Sequence, residues 1–156
     1  MRAKHQAEEP DLPFPVTPLR FLPGEWRVHR TIFDHRAHQD GVFTGRAVFS
    51  PGPPGELWYA EQGEVAIGTY RGPASRRLIY RDRGGPAMDV HFADGRPFYR
   101  LDLRDGQWSA SHLCNADTYR VAGRLLHADA FTEQWHVEGP TKEYDLDTTY
   151  TRPTTS

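Results

Sequence analysis

Cysteine and lysine are the scarcest chemically active residues in this 156-residue chain: one thiol, Cys114, and two lysines, Lys4 and Lys142. A lone cysteine excludes an intrachain disulfide, and residues 1–20 lack the apolar segment of a secretory signal, so a cytoplasmic location is expected. No apolar run approaches the roughly 20 residues of a membrane-spanning helix, so no membrane partner is expected. An excess of charge is missing too. The formal net charge is −2 at pH 7, too small to attract nucleic acid through a whole-protein field. The near-absence of lysine among 19 basic residues reads as the arginine bias of a GC-rich bacterial genome rather than as a binding adaptation. Helical periodicity is also absent, as are the Gly-x-Ser-x-Gly elbow, phosphate-cradling glycine loops and dinucleotide fingerprints. Serine hydrolase, nucleotide-triphosphatase and Rossmann chemistry therefore have no support.

What remains is a strand-rich vocabulary. Fourteen glycines, thirteen prolines and 12% aromatic residues suit many short strands joined by turns. Residues 1–18, with Pro10, Pro13, Pro15 and Pro18, read as a disordered or extended arm. Leu19–Leu22 reads as a short helical cap. From Trp26 apolar residues alternate with polar ones, the period of a half-buried strand. The alternation recurs over Val42–Phe49 and Leu57–Glu61, is broken by Gly63, and resumes over Val65–Thr69, Arg76–Arg81 and Met88–Phe92. Ala93-Asp94-Gly95-Arg96 and Arg104-Asp105-Gly106-Gln107 are tight hairpin turns about ten residues apart. Trp108–Cys114, Tyr119–Leu126, Ala130–Val137 and Tyr144–Arg152 bring the total to about ten strands in an antiparallel up-and-down meander, close to the number that encloses a ligand-sized interior. The expected architecture is all-β: one barrel domain spanning residues 19–153.

Gly24-x-Trp26 at the start of the first strand and Arg152 on the last can seal one barrel end, the guanidinium lying across the indole. Together with the ten-strand meander these residues resemble the calycin superfamily of lipocalins, fatty-acid-binding proteins and nitrobindin-like barrels. Phe21-Leu22-x-Gly24-x-Trp26, His112-x-Cys114-x-x-Asp117-x-Tyr119 and Gly139-Pro140-x-Lys142-x-Tyr144 are similar to a bacterial and fungal calycin-like family of uncharacterised function. That resemblance implies a container fold with Gly24, Trp26 and Arg152 as its closure, and no particular activity.

Three clusters carry candidate chemistry. If Trp108 points inward, Ala110, His112 and Cys114 share its face, and Tyr119 can face back across the hairpin. An imidazole beside Asp117 can act as a general base while the Tyr119 phenol polarises a carbonyl, so His112, Asp117 and Tyr119 form the expected catalytic group. Cys114 equally suits a small buried hydrophobe and Asp117 a turn-stabilising Asx bond. In the second cluster Gly139-Pro140 forces a bulge or turn, Lys142 can reach an anionic ligand or a carboxylate on a neighbouring strand, and Tyr144 is a further candidate ligand contact; Lys142 can instead pair with a surface acid such as Glu138 or Asp145. The third comprises Tyr70, Tyr80, His91, Tyr99 and Arg100, a polar ligand-binding set if Asp89 and His91 rather than Met88, Val90 and Phe92 face inward. Arg71, Arg76, Arg77, Arg81 and Arg83, interspersed with Asp82 and Asp89, read as a solvated hairpin and not as a nucleic-acid site.

No histidine spacing defines a metal site, although strands can converge on a metal in space. A haem, as in nitrobindin-like barrels, would need His112 or His136 as its ligand; Trp135 and Val137 read as the inward set, which sends His136 outward. The expectation is therefore a monomeric or weakly dimeric barrel that binds a small polar or aromatic, polyketide-like metabolite. It would isomerise, cyclise or dehydrate that molecule without a cofactor. A non-catalytic carrier or sensor and a haem protein are the alternatives.

Overall fold

A computed structural model describes residues 16–154. A four-residue helix α1 (Pro18–Phe21) precedes ten strands: β1 (Gly24–Asp34), β2 (Gln39–Pro51), β3 (Glu56–Ile67), β4 (Tyr70–Asp82), β5 (Ala87–Phe92), β6 (Pro97–Asp102), β7 (Gln107–Cys114), β8 (Asp117–His127), β9 (Ala130–Glu138) and β10 (Glu143–Thr151). They form one antiparallel sheet in the order β6-β5-β4-β3-β2-β1-β10-β9-β8-β7. First and last strands are thus neighbours, and the sheet rolls into a nearly closed barrel whose seam lies between β6 and β7. The expected ten-stranded all-β barrel with an N-terminal helical cap is the observed fold. Most of the expected 1–18 arm lies outside the described residues, but Val16 and Pro18 are buried, so the packed chain starts earlier than residue 19.

Both Asp-Gly pairs make the turns anticipated for them, with Gly95 at φ 93° and Gly106 at φ 75°, angles that a side-chain-bearing residue resists. Gly63 does not break its strand. It pairs in register with Gly45 across β2 and β3, and a methyl group on either would lie 2.2 Å from the partner strand's backbone. The two glycines therefore let the barrel wall come unusually close at that point. The bulges fall elsewhere, at Val90/His91 against β6 and at Leu125/His127 against β9. The first inserts Phe98 as an extra residue, so Phe98 and Tyr99 are both buried. The second inserts Leu126 on β8, opposite the buried pair Ala130 and Phe131. Gly139-Pro140 lies in the β9–β10 turn, as its composition dictates.

Even-numbered residues of β1, β4, β5, β7 and β10 and odd-numbered residues of β2, β3, β8 and β9 point inward, following strand alternation. At the α1 end they are fully buried, among them Trp26, Ala47, Phe49, Leu57, Met88, Leu125 and Phe131. Space there is reduced to a void of about 10 Å³ beside Trp108 and Glu133, about the volume that holds one water. No helix among the described residues is long and apolar enough to cross a membrane.

Candidate functional site

The closed end is built around Trp26. The Arg152 guanidinium lies 3.8 Å above its ring and donates to the carbonyls of Phe21 and Pro23. The Trp26 indole N–H donates to the Leu22 carbonyl at 2.9 Å, and Phe131 packs edge-on at 4.9 Å. Gly24, at φ 112°, leaves room for the arginine; a methyl group there would lie 3.2 Å from its Nη1. The three closure residues therefore meet, and tie α1 across the barrel bottom.

The opposite end is open. Ile32, Val65, Ala74, Phe92, Ala110, His112, Tyr119 and Leu146 all face inward, yet all are only half-buried. Inward-facing side chains that retain exposure define a cup, with Phe98 and Trp135 stacked at 5.2 Å within its wall.

At the base of this cup lies a polar layer. Arg30 donates from Nη1 and Nη2 to both Glu61 carboxylate oxygens at 2.8 and 2.9 Å, and from Nε to the Thr148 hydroxyl at 2.8 Å. Tyr59 also donates to Glu61. Arg76 Nη2 lies 3.4 Å from the same carboxylate, and its side chain retains 34% exposure. Its buried Nε has no hydrogen-bond partner among the described residues. A second carboxylate, Glu133, accepts from Tyr99 at 3.1 Å, with Tyr150 and Trp135 donors at 3.5 Å. Both glutamates are nearly inaccessible, at 4% and 5%.

Their proton affinities diverge. Burial alone would raise Glu61, but the hydrogen bonds from Arg30 and the charge of Arg76 overcome it and hold the carboxyl down at about 2. Among the described residues Glu133 has no ion-pair partner within contact distance, so burial wins and its proton affinity rises. Burial likewise pushes Tyr59, Tyr80 and Tyr99 well above the ordinary phenol value and Tyr150 up to about 12, keeping all four hydroxyls protonated as donors. The two carboxyls of the polar layer thus shift in opposite directions. Arg76 and Arg30, meanwhile, share only one firmly ionised carboxylate.

Several expected site residues lie elsewhere. Asp117 does not orient His112: no hydrogen bond joins them among the described residues, and Asp117 instead pairs with Lys142 at 3.2 Å. Lys142 therefore reaches a neighbouring-strand carboxylate rather than Glu138 or Asp145. His112 and Tyr119 do sit together in the cup, with ring centroids 6.4 Å apart, and His112 packs edge-on to Phe98 at 5.6 Å. Cys114 is half-buried on the same face of β7, towards the rim. Arg100 and His91 face outward because the apolar Met88 and Val90 take the inward register; Arg100 pairs with Asp89 at 3.1 Å. Tyr70 is 56% exposed at the β3–β4 turn, not in the interior. Tyr80 and Tyr99 belong to the buried layer, and Tyr144 is half-buried on the inward face of β10. Of the two candidate haem ligands, His136 faces outward and His112 inward.

Sequence reasoning missed Arg30, Arg76, Glu61 and Glu133 as a set. Their signal was phase: Glu61 continues the alternation of Leu57 and Tyr59, and Glu133 lies between Phe131 and Trp135. A charged residue in step with buried aromatics on a strand is an interior charge. Outside the barrel, His35, His136 and Glu143 also come together, with one ligand atom from each within 4.8 Å of the others.

Fold and site together define an up-and-down antiparallel barrel, plugged at one end, with a polar-floored cup at the other. The chain belongs to the family described as "Family of unknown function (DUF6314)", whose model matches residues 22–152. No curated protein matches it. Among solved structures it is similar to the S-type phycobiliprotein lyase CPES of Guillardia theta, at 9% identity and a TM-score of 0.61, covering 100% of this chain and 99% of that one. It is also similar to a DUF3598-family protein of unknown function from Nostoc punctiforme, at 15% identity and a TM-score of 0.60, covering 94% of this chain and 51% of that one. At these identities the likeness shows the fold alone.

Proposed function

We propose that the cup binds a small planar molecule carrying an anionic or strongly accepting oxygen, and that this is a calycin-like binding barrel with acid–base capacity. The observation that carries the reading is Arg76: an inward guanidinium, part-exposed in the cup, with a buried Nε–H that no group among the described residues satisfies. Donors of this kind select oxygen anions by charge and planar geometry. Phe92, Phe98, Tyr119 and Trp135 supply the apolar, aromatic walls that ligand sites combine with a few placed polar groups.

Glu133 is the group suited to proton transfer, because its raised proton affinity brings it towards working pH, whereas Glu61 is locked to Arg30 and Tyr59. When it holds a proton, Glu133 can deliver it to a ligand oxygen or carbon and recover one elsewhere on the same molecule. That is the chemistry of a cofactor-free isomerisation, cyclisation or dehydration. His112 and Tyr119 line the entrance as contacts and not as the acid–base pair.

The test is a titration followed by tryptophan fluorescence with salicylate and with its neutral analogue salicylamide. Binding of the anion, weakened at least tenfold in Arg76→Met and retained in Glu133→Gln, supports the proposal. Equal or absent binding of both probes, together with native mass spectra of protein from its own host that show no retained small molecule, overturns it. A Soret absorption in that same material would instead establish the haem alternative.

A further inference from the structure

We propose that His35, His136 and Glu143 form a binding site for a divalent transition metal of the zinc type on the outer wall of the barrel, separate from the cup. More than a hundred residues separate His35 from the other two in sequence, and the barrel closure brings them together. β10 lies between β1 and β9, and Asp145 faces Phe33 on one side and His136 on the other. The β1–β2 turn carries His35 over β10, where its backbone N–H donates to the Glu143 carbonyl at 2.9 Å. Asp34 fixes that turn by accepting from the backbone N–H groups of Arg36 and Ala37 at 3.0 and 3.1 Å.

The geometry has the second layer that metal sites need. Asp145 bonds the His136 ring through Nδ1 at 2.6 Å and the His35 ring through Nε2 at 2.7 Å. One carboxylate thus orients both imidazoles and leaves each a further nitrogen, the carboxylate–histidine arrangement that raises ligand basicity and fixes the tautomer. The three candidate ligand atoms lie within 4.8 Å of one another. Metal–ligand bonds of about 2.0–2.2 Å place tetrahedral neighbours roughly 3.5 Å apart, so the half-buried side chains need to close by about an ångström.

Charge favours a cation there. Glu138 lies 3.3 Å and Glu143 3.8 Å from His136 Nε2, and with Asp145 they set three carboxylates around two imidazoles. Of the neighbouring basic groups, Arg36 donates to the Pro140 carbonyl, while Arg120 stands 4.0 Å from Glu138 and offsets part of that one carboxylate's charge. A two-imidazole, one-carboxylate set prefers zinc, cobalt, nickel or copper to magnesium or calcium. Three protein ligands also leave a fourth position open, beside an outer groove lined by Ser109, Ser111 and Gln134 together with His136 and Asp145.

The test uses tag-free, chelator-treated full-length protein titrated with Co²⁺, followed by Zn²⁺ competition and calorimetry. The expected result is one equivalent of Co²⁺ with tetrahedral d–d absorption, displaced by Zn²⁺ and unaffected by Mg²⁺. A His35→Gln/His136→Gln double variant should lose at least 100-fold in affinity while its metal-free melting temperature stays unchanged. Asp145→Asn should lose 10–100-fold, the usual cost of removing an orienting partner. Wild-type protein that binds Co²⁺ and Zn²⁺ no more tightly than the double variant overturns the proposal, whatever the thermal stability of the variant.

Discussion

The hydroxyls of Tyr59 and Tyr150 face each other at 3.4 Å, midway between the two interior carboxyls of the barrel. Tyr59 donates to Glu61, and the Tyr150 hydroxyl lies 3.5 Å from Glu133. Two tyrosines thus link a carboxyl whose proton affinity is held down to one whose proton affinity is raised. Interrupting this contact with Tyr150→Phe removes a donor from Glu133 without creating a cavity. A loss of about 1 kcal/mol in urea unfolding is expected, the usual worth of one hydrogen bond. Loss of ligand-dependent proton exchange with retained ligand affinity would locate the proton path along this pair.

Acid stability should carry the signature of Glu61. Its folded value of about 2 lies below the ordinary 4.5, so the native state binds fewer protons than the unfolded chain between these values. The stabilisation is complete above pH 4.5 and is lost as the pH falls towards 2. Glu61→Gln should flatten the unfolding free energy across that window. At neutral pH it should cost about 3–5 kcal/mol, because Arg30 is left buried and unpaired.

Glu133 carries the opposite sign. Its raised proton affinity means that the native state retains a proton the unfolded chain releases, so its contribution is full below the ordinary carboxylate range and fades as the pH rises through the folded value. Glu133→Gln should therefore gain stability relative to wild type as the pH is raised, measured by thermal melts in a buffer series. A wild-type-minus-variant difference independent of pH would refute the assignment.

Packing between β7 and β8 is tested at Gly123. A methyl group there would lie 2.0 Å from the Trp108 indole, so Gly123→Ala should cost about 1–3 kcal/mol by overpacking and shift the tryptophan emission.

The barrel plug is tested at Arg152. Replacement by Met keeps volume but removes the contact over Trp26 and two donors to backbone carbonyls, and a loss of about 2–3 kcal/mol in denaturant unfolding is expected.

Much of this architecture was legible in the chain. Alternation and the Asp94-Gly95 and Asp105-Gly106 turns mark individual strands, and Trp26 and Arg152 announce where the ends meet. The site was less legible because local pattern is blind to what lies opposite. His112 and Asp117 are close in sequence, yet Asp117 is claimed by Lys142 from the β9–β10 turn. Glu61 and Glu133 look like ordinary strand acids until the curl of the sheet sets them on either side of Tyr59 and Tyr150. Gly63 reads as a break because glycine weakens an isolated strand, whereas here it lets two neighbouring strands approach. Phe98 escapes a strict period-2 reading because a bulge turns two successive residues inward.

Nine ladders of hydrogen bonds join ten strands, so the wall is a strip curled until its ends touch rather than a welded ring. Across the β6–β7 line the cup is held by side chains such as Phe98 against His112, whose contacts can part and re-form without breaking a backbone ladder. The perimeter can therefore widen like a split collar, beside the very aromatics that form the proposed ligand wall. Amide hydrogens flanking this line are expected to exchange before those of β1 and β10 opposite.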